Sequence, residues 1–195
     1  MTGILRAARE LFAGQGYDPT SVAGIAARTG VVEANVYKYF GSKRELLLKV
    51  LDDWYDEMFR DYAAALDGVR GCRARVELLV RRHLESVKRH PLLCRLMFRE
   101  VRSEEDYPGS SLHAQNRRYT RLLVKVLKEG AAAGELRADL PLALLRDMIY
   151  GGIEHHAWGY IMAVSHRGRG ASLDPAGLAA EITAVLFDGA ARRRT

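Results

Sequence analysis

The chain has 195 residues, 30 basic and 24 acidic side chains, a formal charge of +6 and two cysteines. Its 48% apolar content beside 28% charged residues excludes wholesale disorder and supplies a real core for one domain or two small ones. No apolar run approaches the roughly 18–20 residues of a membrane span, and Arg6, Arg9 and Glu10 interrupt any signal-peptide core. Cys72 and Cys94 form no CxxC pair, so a reducing cytoplasm is the expected compartment, with no membrane partner.

In chain order, apolar residues recur at three- and four-residue spacings, and no stretch alternates with period two. Pro19, Pro91, Pro141 and Pro175 each stand just ahead of or at the start of such a pattern, as proline does in a first helical turn. Ile4, Leu5, Ala8, Leu11 and Phe12 form the first stripe, and Leu47, Leu51, Trp54, Met58 and Tyr62 form a longer one. Val76, Leu79, Val80, Leu84 and Val87 follow, then Leu122, Val126 and Leu127, then Leu178, Ile182, Val185 and Leu186. The predicted fold is all-α. Helices are expected at about 3–14, 20–28, 32–39, 42–66, 70–89, 91–102, 110–133, 141–165 and 174–191. Residues 103–109 and 167–170 are expected as loops, because glycine, proline and charge break the periodicity there.

The second and third helices carry the functional signal. Thr20 is the expected N-cap ahead of Val22, Ile25 and Ala26, and Gly30 supplies the left-handed residue of a tight turn. A second short helix follows, with Val36 and Tyr39 assigned to its inward face and Phe40 to the core. Two short helices across a glycine turn make a helix-turn-helix, whose second helix enters the major groove. Ser42-Lys43-Arg44-Glu45 is a capping box that opens the fourth helix and sets the Lys43 ammonium beside a positive helix end, an arrangement suited to phosphate.

The string Asn35-Val36-Tyr37-Lys38-Tyr39-Phe40-Gly41-Ser42-Lys43-Arg44-Glu45-Leu46-Leu47 resembles the hallmark of the TetR/AcrR family of bacterial transcriptional regulators. So does the lead-in of Ala7 to Phe12, Gly16-Tyr17 and Thr20-Ser21-Val22, and the likeness runs from Ile4 to about Val50. The resemblance implies a homodimer that binds a pseudo-palindromic operator and releases it when a small molecule enters the helical body. It implies backbone contacts from Tyr37 and Lys43 and base reading by the third helix. Glu33, Ala34, Asn35 and Lys38 are the candidate readers, since Asn pairs bidentately with adenine, Lys with guanine, and Glu accepts from a cytosine amino group. Thr20, Ser21 and Tyr39 complete the expected DNA-binding set. Two departures from the family pattern stand out. Val32 occupies a position usually held by a capping side chain, and Glu33 one that is usually basic or neutral.

The implied organisation is a three-helix DNA-binding domain at 1–47 and a six-helix ligand-binding and dimerisation domain at 48–195. Trp54, Met58, Tyr62, Phe98, Tyr119, Tyr150, His155 and Trp158 are the candidate lining of a hydrophobic or amphipathic effector site, although such a stripe is also ordinary core. Gly152, Leu178, Ile182, Val185 and Leu186 are the candidate dimer surface, with Gly151 and Gly152 expected to interrupt the eighth helix and admit another backbone. No metal or other cofactor is expected, because adjacent His155 and His156 point about 100° apart on a helix and no ligand spacing accompanies them. Cys94 is read as a small buried hydrophobe. No phosphate-cradling glycine loop, GxSxG or catalytic carboxylate pair supports an enzyme. A regulator without small-molecule sensing, or an activator, is the alternative. Residues 1–47 hold six basic and four acidic side chains, a net +2, so placement of charge matters more than its total.

Overall fold

The computed structural model describes residues 2–165 and 172–189. Among these there are nine α-helices, one π-helical turn and no strand. The loop expected at 167–170 and the Arg192–Arg194 tail lie outside the described residues. Two compact units emerge: Met1–Met58 with His90–Asn116, and Phe59–Arg89 with Arg117–Thr195.

The first unit begins with α1 (Thr2–Gln15), which buries Ile4, Ala7, Ala8 and Phe12. Next come α2 (Val22–Thr29) and α3 (Glu33–Phe40), which pack on α1 and on each other respectively. The α2–α3 turn is fixed by local chemistry. Gly30 adopts φ 69°, and the amides of Gly30 and Val31 donate to the carbonyls of Ala27 and Ala26, which closes the end of α2. The start of α2 differs by one residue from expectation. Ser21 is the cap, its Oγ accepting from the Gly24 amide at 3.0 Å. Thr20 is buried instead, and its hydroxyl donates to the Gly16 carbonyl at 2.7 Å while accepting from Gln15. The expected inward role of Tyr39 is also corrected. Val36 and Phe40, four residues apart, hold the inner face of α3 and leave Tyr39 57% exposed.

Helix α4 (Lys43–Leu66) opens where expected, with Ser42 Oγ accepting from the Glu45 amide at 3.0 Å. The single helix expected over 91–102 is α6 (Pro91–Leu96) followed by a π turn at Met97–Val101, closed by the Arg102 amide on the Met97 carbonyl at 2.9 Å. That wider turn keeps Leu93, Cys94, Leu96, Met97 and Val101 buried together. Cys94 is buried as expected, and burial pushes its thiol up to about 12, away from redox chemistry.

The second unit is built on α5 (Cys72–Arg89), whose buried stripe is Cys72, Val76, Leu79, Val80, Leu84 and Val87. It packs against α8 (Leu142–Ser165) and α9 (Pro175–Asp188), and Arg73 clamps Asp188 through two bonds of 2.8 Å. The greater part of α7 (Ser111–Ala132) contributes Tyr119, Leu123, Val126 and Leu127 to this core. Gly151 and Gly152 do not interrupt α8. Ile149, Ile153, Ala157 and Ile161, spaced by four, carry its packing straight through them. Helix α9 stops at Asp188 rather than near 191, because Gly189 turns to φ 74°. Among the described residues, no helix is long and apolar enough to cross a membrane.

Candidate functional site

The first unit presents an exposed polar row along α3. Glu33, Ala34, Asn35, Tyr37, Lys38 and Tyr39 all face outward, and Val32 just ahead of them is 65% exposed. Val36 and Phe40 anchor the opposite face, so the row is displayed from a packed support. Val32 is the N-cap and makes no side-chain cap bond; only its carbonyl holds the turn, accepting from the Asn35 amide at 3.0 Å.

Lys43 stands at the first residue of α4. Its Nζ lies 4.2 Å over the Tyr17 ring and donates to the Asp18 carbonyl at 3.3 Å. An ammonium has three donors, so this tether aims the group and leaves two donors for an anion. The Glu45 carboxylate folds back over Gly41, within 2.8 Å of where a Cβ would stand there, and Gly41 itself is at φ 55°. That backbone conformation and that crowding both favour glycine between α3 and α4.

The six cations of residues 1–47 divide into two groups. Arg9 pairs with Glu57 at 2.7 Å, Arg28 with Glu10 at 2.8 Å, and Arg44 with Asp106 at 3.2 Å and the Glu100 carbonyl at 3.1 Å. Among the described residues Arg6, Lys38 and Lys43 have no carboxylate within ion-pair distance. The cations left uncompensated therefore include the two on α3 and at the start of α4. A net charge of +2 is concentrated at a useful place by pairing off the others.

The second unit holds a different constellation. His83 Nδ1 is hydrogen-bonded to the Tyr119 hydroxyl, and the His83 ring lies 5.4 Å from Tyr119 and 5.9 Å from Tyr150. Tyr119 also packs on Tyr62 at 5.5 Å and on Tyr150 at 5.4 Å. Burial pushes the His83 pKa down to about 4, so the ring is neutral, and burial pushes the Tyr150 phenol up, so it keeps its proton. His83 and Tyr150 each retain some accessible surface inside this enclosure. The cluster offers neutral donors and acceptors in an aromatic setting.

Of the expected effector lining, Tyr62, Tyr119 and Tyr150 come together here. Trp54 and Met58 are buried in the first unit, where Trp54 stacks near Tyr55 and His90, and Phe98 is half-buried with Arg102 4.9 Å over its ring. His155 and Trp158 lie on the outer face of α8 with Leu144, Met148 and Gly151, spaced by four and three. His83 was not expected in an effector cluster. Its place at three residues after Val80 and four before Val87 puts it on the inner stripe of α5, and that spacing was the available signal.

Two family models match this chain. Residues 4–50 match the N-terminal model of the bacterial regulatory proteins of the tetR family, and residues 70–158 match a tetracyclin repressor-like C-terminal domain. The chain belongs to the TetR/AcrR family. As a TetR-family member it is a DNA-binding transcriptional regulator of the helix-turn-helix type. It is 26% identical to the transcriptional repressor KstR2 of Mycolicibacterium smegmatis over 156 residues, 80% of this chain and 74% of that one. It is 23% identical to the fatty acid metabolism regulator protein of Bacillus subtilis over 159 residues, 82% of each chain. The crystal structure of FadR from Bacillus subtilis in complex with stearoyl-CoA shares its fold at a TM-score of 0.82 and 22% identity, covering 96% of this chain and 98% of that one.

Proposed function

We propose that this regulator is a homodimeric repressor of a pseudo-palindromic operator, released by a long apolar effector that carries an uncharged polar group. The observation that carries the DNA half is the pairing-off of cations that leaves Lys38 and Lys43 beside an exposed recognition helix. Residues 1–47 act as the reading head and 48–195 as the effector and dimer body. Lys43 and Tyr37 hold phosphates and set register; Glu33, Ala34, Asn35 and Lys38 read base edges. Exposed Ser21 and Tyr39 are assigned to contacts with the DNA backbone, and buried Thr20 only to support of the turn.

The effector reading rests on the His83–Tyr119–Tyr150 cluster. Arg146, whose charge is felt at Tyr150, is already paired with Asp147 at 2.7 Å, so a carboxylate brought against these neutral rings would be desolvated with little compensation, whereas a carbonyl is satisfied by one or two donors. A long-chain acyl thioester has that chemistry, and FadR of Bacillus subtilis, whose fold this chain shares, forms a complex with stearoyl-CoA. Binding acts through α4, which carries Lys43 at one end, by favouring one of two dimer geometries.

The dimer reading uses the exposed and half-buried outer faces of α8 and α9. Leu144, Met148, His155 and Trp158 line one; Leu178, Ile182, Val185 and Leu186 the other. Among the described residues, a Cβ added at Gly151, Gly152 or Gly159 would meet no neighbouring element within 4 Å, which leaves room for a partner's backbone. His155 and Trp158 thereby move from the effector site to the dimer surface. The site of action is the cytoplasm, where the operator lies.

The test is operator release. An operator selected from random duplexes is bound by the purified protein, then titrated with stearoyl-CoA and with stearate. Release by the thioester at concentrations where the acid is inert is the expected result. Equal release by both, or by neither, refutes the effector assignment.

A further inference from the structure

Resting on the DNA-binding reading above, we infer that Val32 reads the 5-methyl group of a thymine in each operator half-site, making the protein's specificity depend on a methyl contact at the very start of the recognition helix. Val32 gives up the side-chain hydrogen bond that a capping Ser, Thr, Asp or Asn would make to the first turn of α3. It also leaves its branched side chain 65% exposed. Among the described residues it is the one large aliphatic side chain so exposed in the first unit. Scattered exposed apolar groups are ordinary. One that replaces a cap on the helix face that meets base edges has no return within its own chain.

The geometry suits a methyl reader. The Gly30 turn fixes the backbone on one side of Val32, and the bond from the Asn35 amide to the Val32 carbonyl fixes it on the other. A β-branched side chain has few χ1 options, so its two methyls stand in a set direction. Its neighbours point to the same half-site composition. Glu33 only accepts, so it takes the amino group of cytosine or adenine, and the Ala34 side chain is a bare methyl. The leading edge of α3 thus carries no donor for the N7 and O6 acceptors of guanine before Asn35. The thymine methyl is the one apolar feature of the major groove that such an edge can recognise.

The experiment begins with an operator selected from random duplexes by the wild-type protein. Each thymine is then replaced singly by deoxyuridine, which removes only the methyl, and affinity is measured at one fixed salt concentration. One thymine per half-site is expected to cost roughly fourfold when its methyl is lost, the value of one buried methyl-sized group. Val32→Ser supplies the missing cap, so it stays folded, and it is expected to bind thymine and uracil operators alike. Val32→Ile keeps the wild-type discrimination. Uracil operators that bind as well as thymine ones overturn the inference. A Val32→Ser protein that still loses fourfold also overturns it, assigning the methyl effect to another residue or to DNA shape. A folded protein that enriches no sequence at all overturns the parent reading together with this one.

Discussion

Replacing Lys43 by Ala removes one ammonium from each subunit at a position where the structure aims it. Its tether to the Asp18 carbonyl at 3.3 Å and its seat 4.2 Å over Tyr17 orient the group while leaving two donors for a phosphate. Each phosphate contact on duplex DNA contributes about −0.9 to the slope of log affinity against log salt concentration. Two contacts in the proposed dimer change that slope by about 1.8, so the loss of affinity between 50 and 200 mM salt should shrink by roughly 12-fold in the variant. The same substitution forfeits a surface cation–π contact of about 0.5–1 kcal/mol, which lowers the melting temperature by only ~2–4 °C in a chain of this size. Fluorescence anisotropy of the selected operator over a salt series reads the first effect, and a thermal melt reads the second. Binding should weaken evenly across related sequences, because a phosphate contact carries no base information. A folded variant whose salt slope equals that of the wild type refutes the phosphate assignment.

Asn35→Ala should alter preference at one base position per half-site and leave the salt slope unchanged; an identical selected sequence would remove Asn35 from the readers. His83, held neutral with a pKa of about 4 by burial, makes stability depend on pH. The unfolded chain takes up a proton near 6.5 and the folded chain does not, so the contribution is fully present above pH 6.5 and declines as pH falls toward 4, by about 3 kcal/mol in all. Urea melts should show that slope in the wild type and its loss in His83→Phe. Gly130→Ala would bring a Cβ within 2.4 Å of Cys72 Sγ and 2.6 Å of Cys72 Cβ, so an overpacking loss of about 1–3 kcal/mol is expected in a thermal or denaturant melt. Val185→Lys places a charge at a 63% exposed side chain of α9 and should give monomers by sedimentation with the helical content intact; a stable dimer would move the interface elsewhere.

Much of the head is decided by contacts within a few residues, and such contacts are legible in a linear string. Gly30 was readable as a left-handed turn because only glycine adopts that backbone cheaply, and Ser42 as a cap because its partner amide is three residues away. Even there, two adjacent hydroxyls defeat local reasoning. Either Thr20 or Ser21 is chemically able to cap α2, and the choice falls to Ser21 because burial draws the Thr20 hydroxyl to the Gly16 carbonyl. Tyr39 shows the same limit, since it follows Val36 by three residues as Phe40 does by four, and only packing selects Val36 and Phe40 for the inside.

By itself, then, the sequence determined the all-helical fold, the approximate order of the helices, the family and the helix-turn-helix pattern, because periodicity, caps and turn glycines act over one or two turns. Tertiary structure alone decided which cations remain without a carboxylate, since Arg9, Arg28 and Arg44 meet partners 18 to 62 residues away. It also decided that His83 joins Tyr119 and Tyr150, groups contributed by three different helices. The π turn after Leu96 and the outward stripe of α8 belong to the same class. A side chain's spacing states which face of its helix it occupies, while its neighbours across the fold decide whether that face meets core, solvent or ligand.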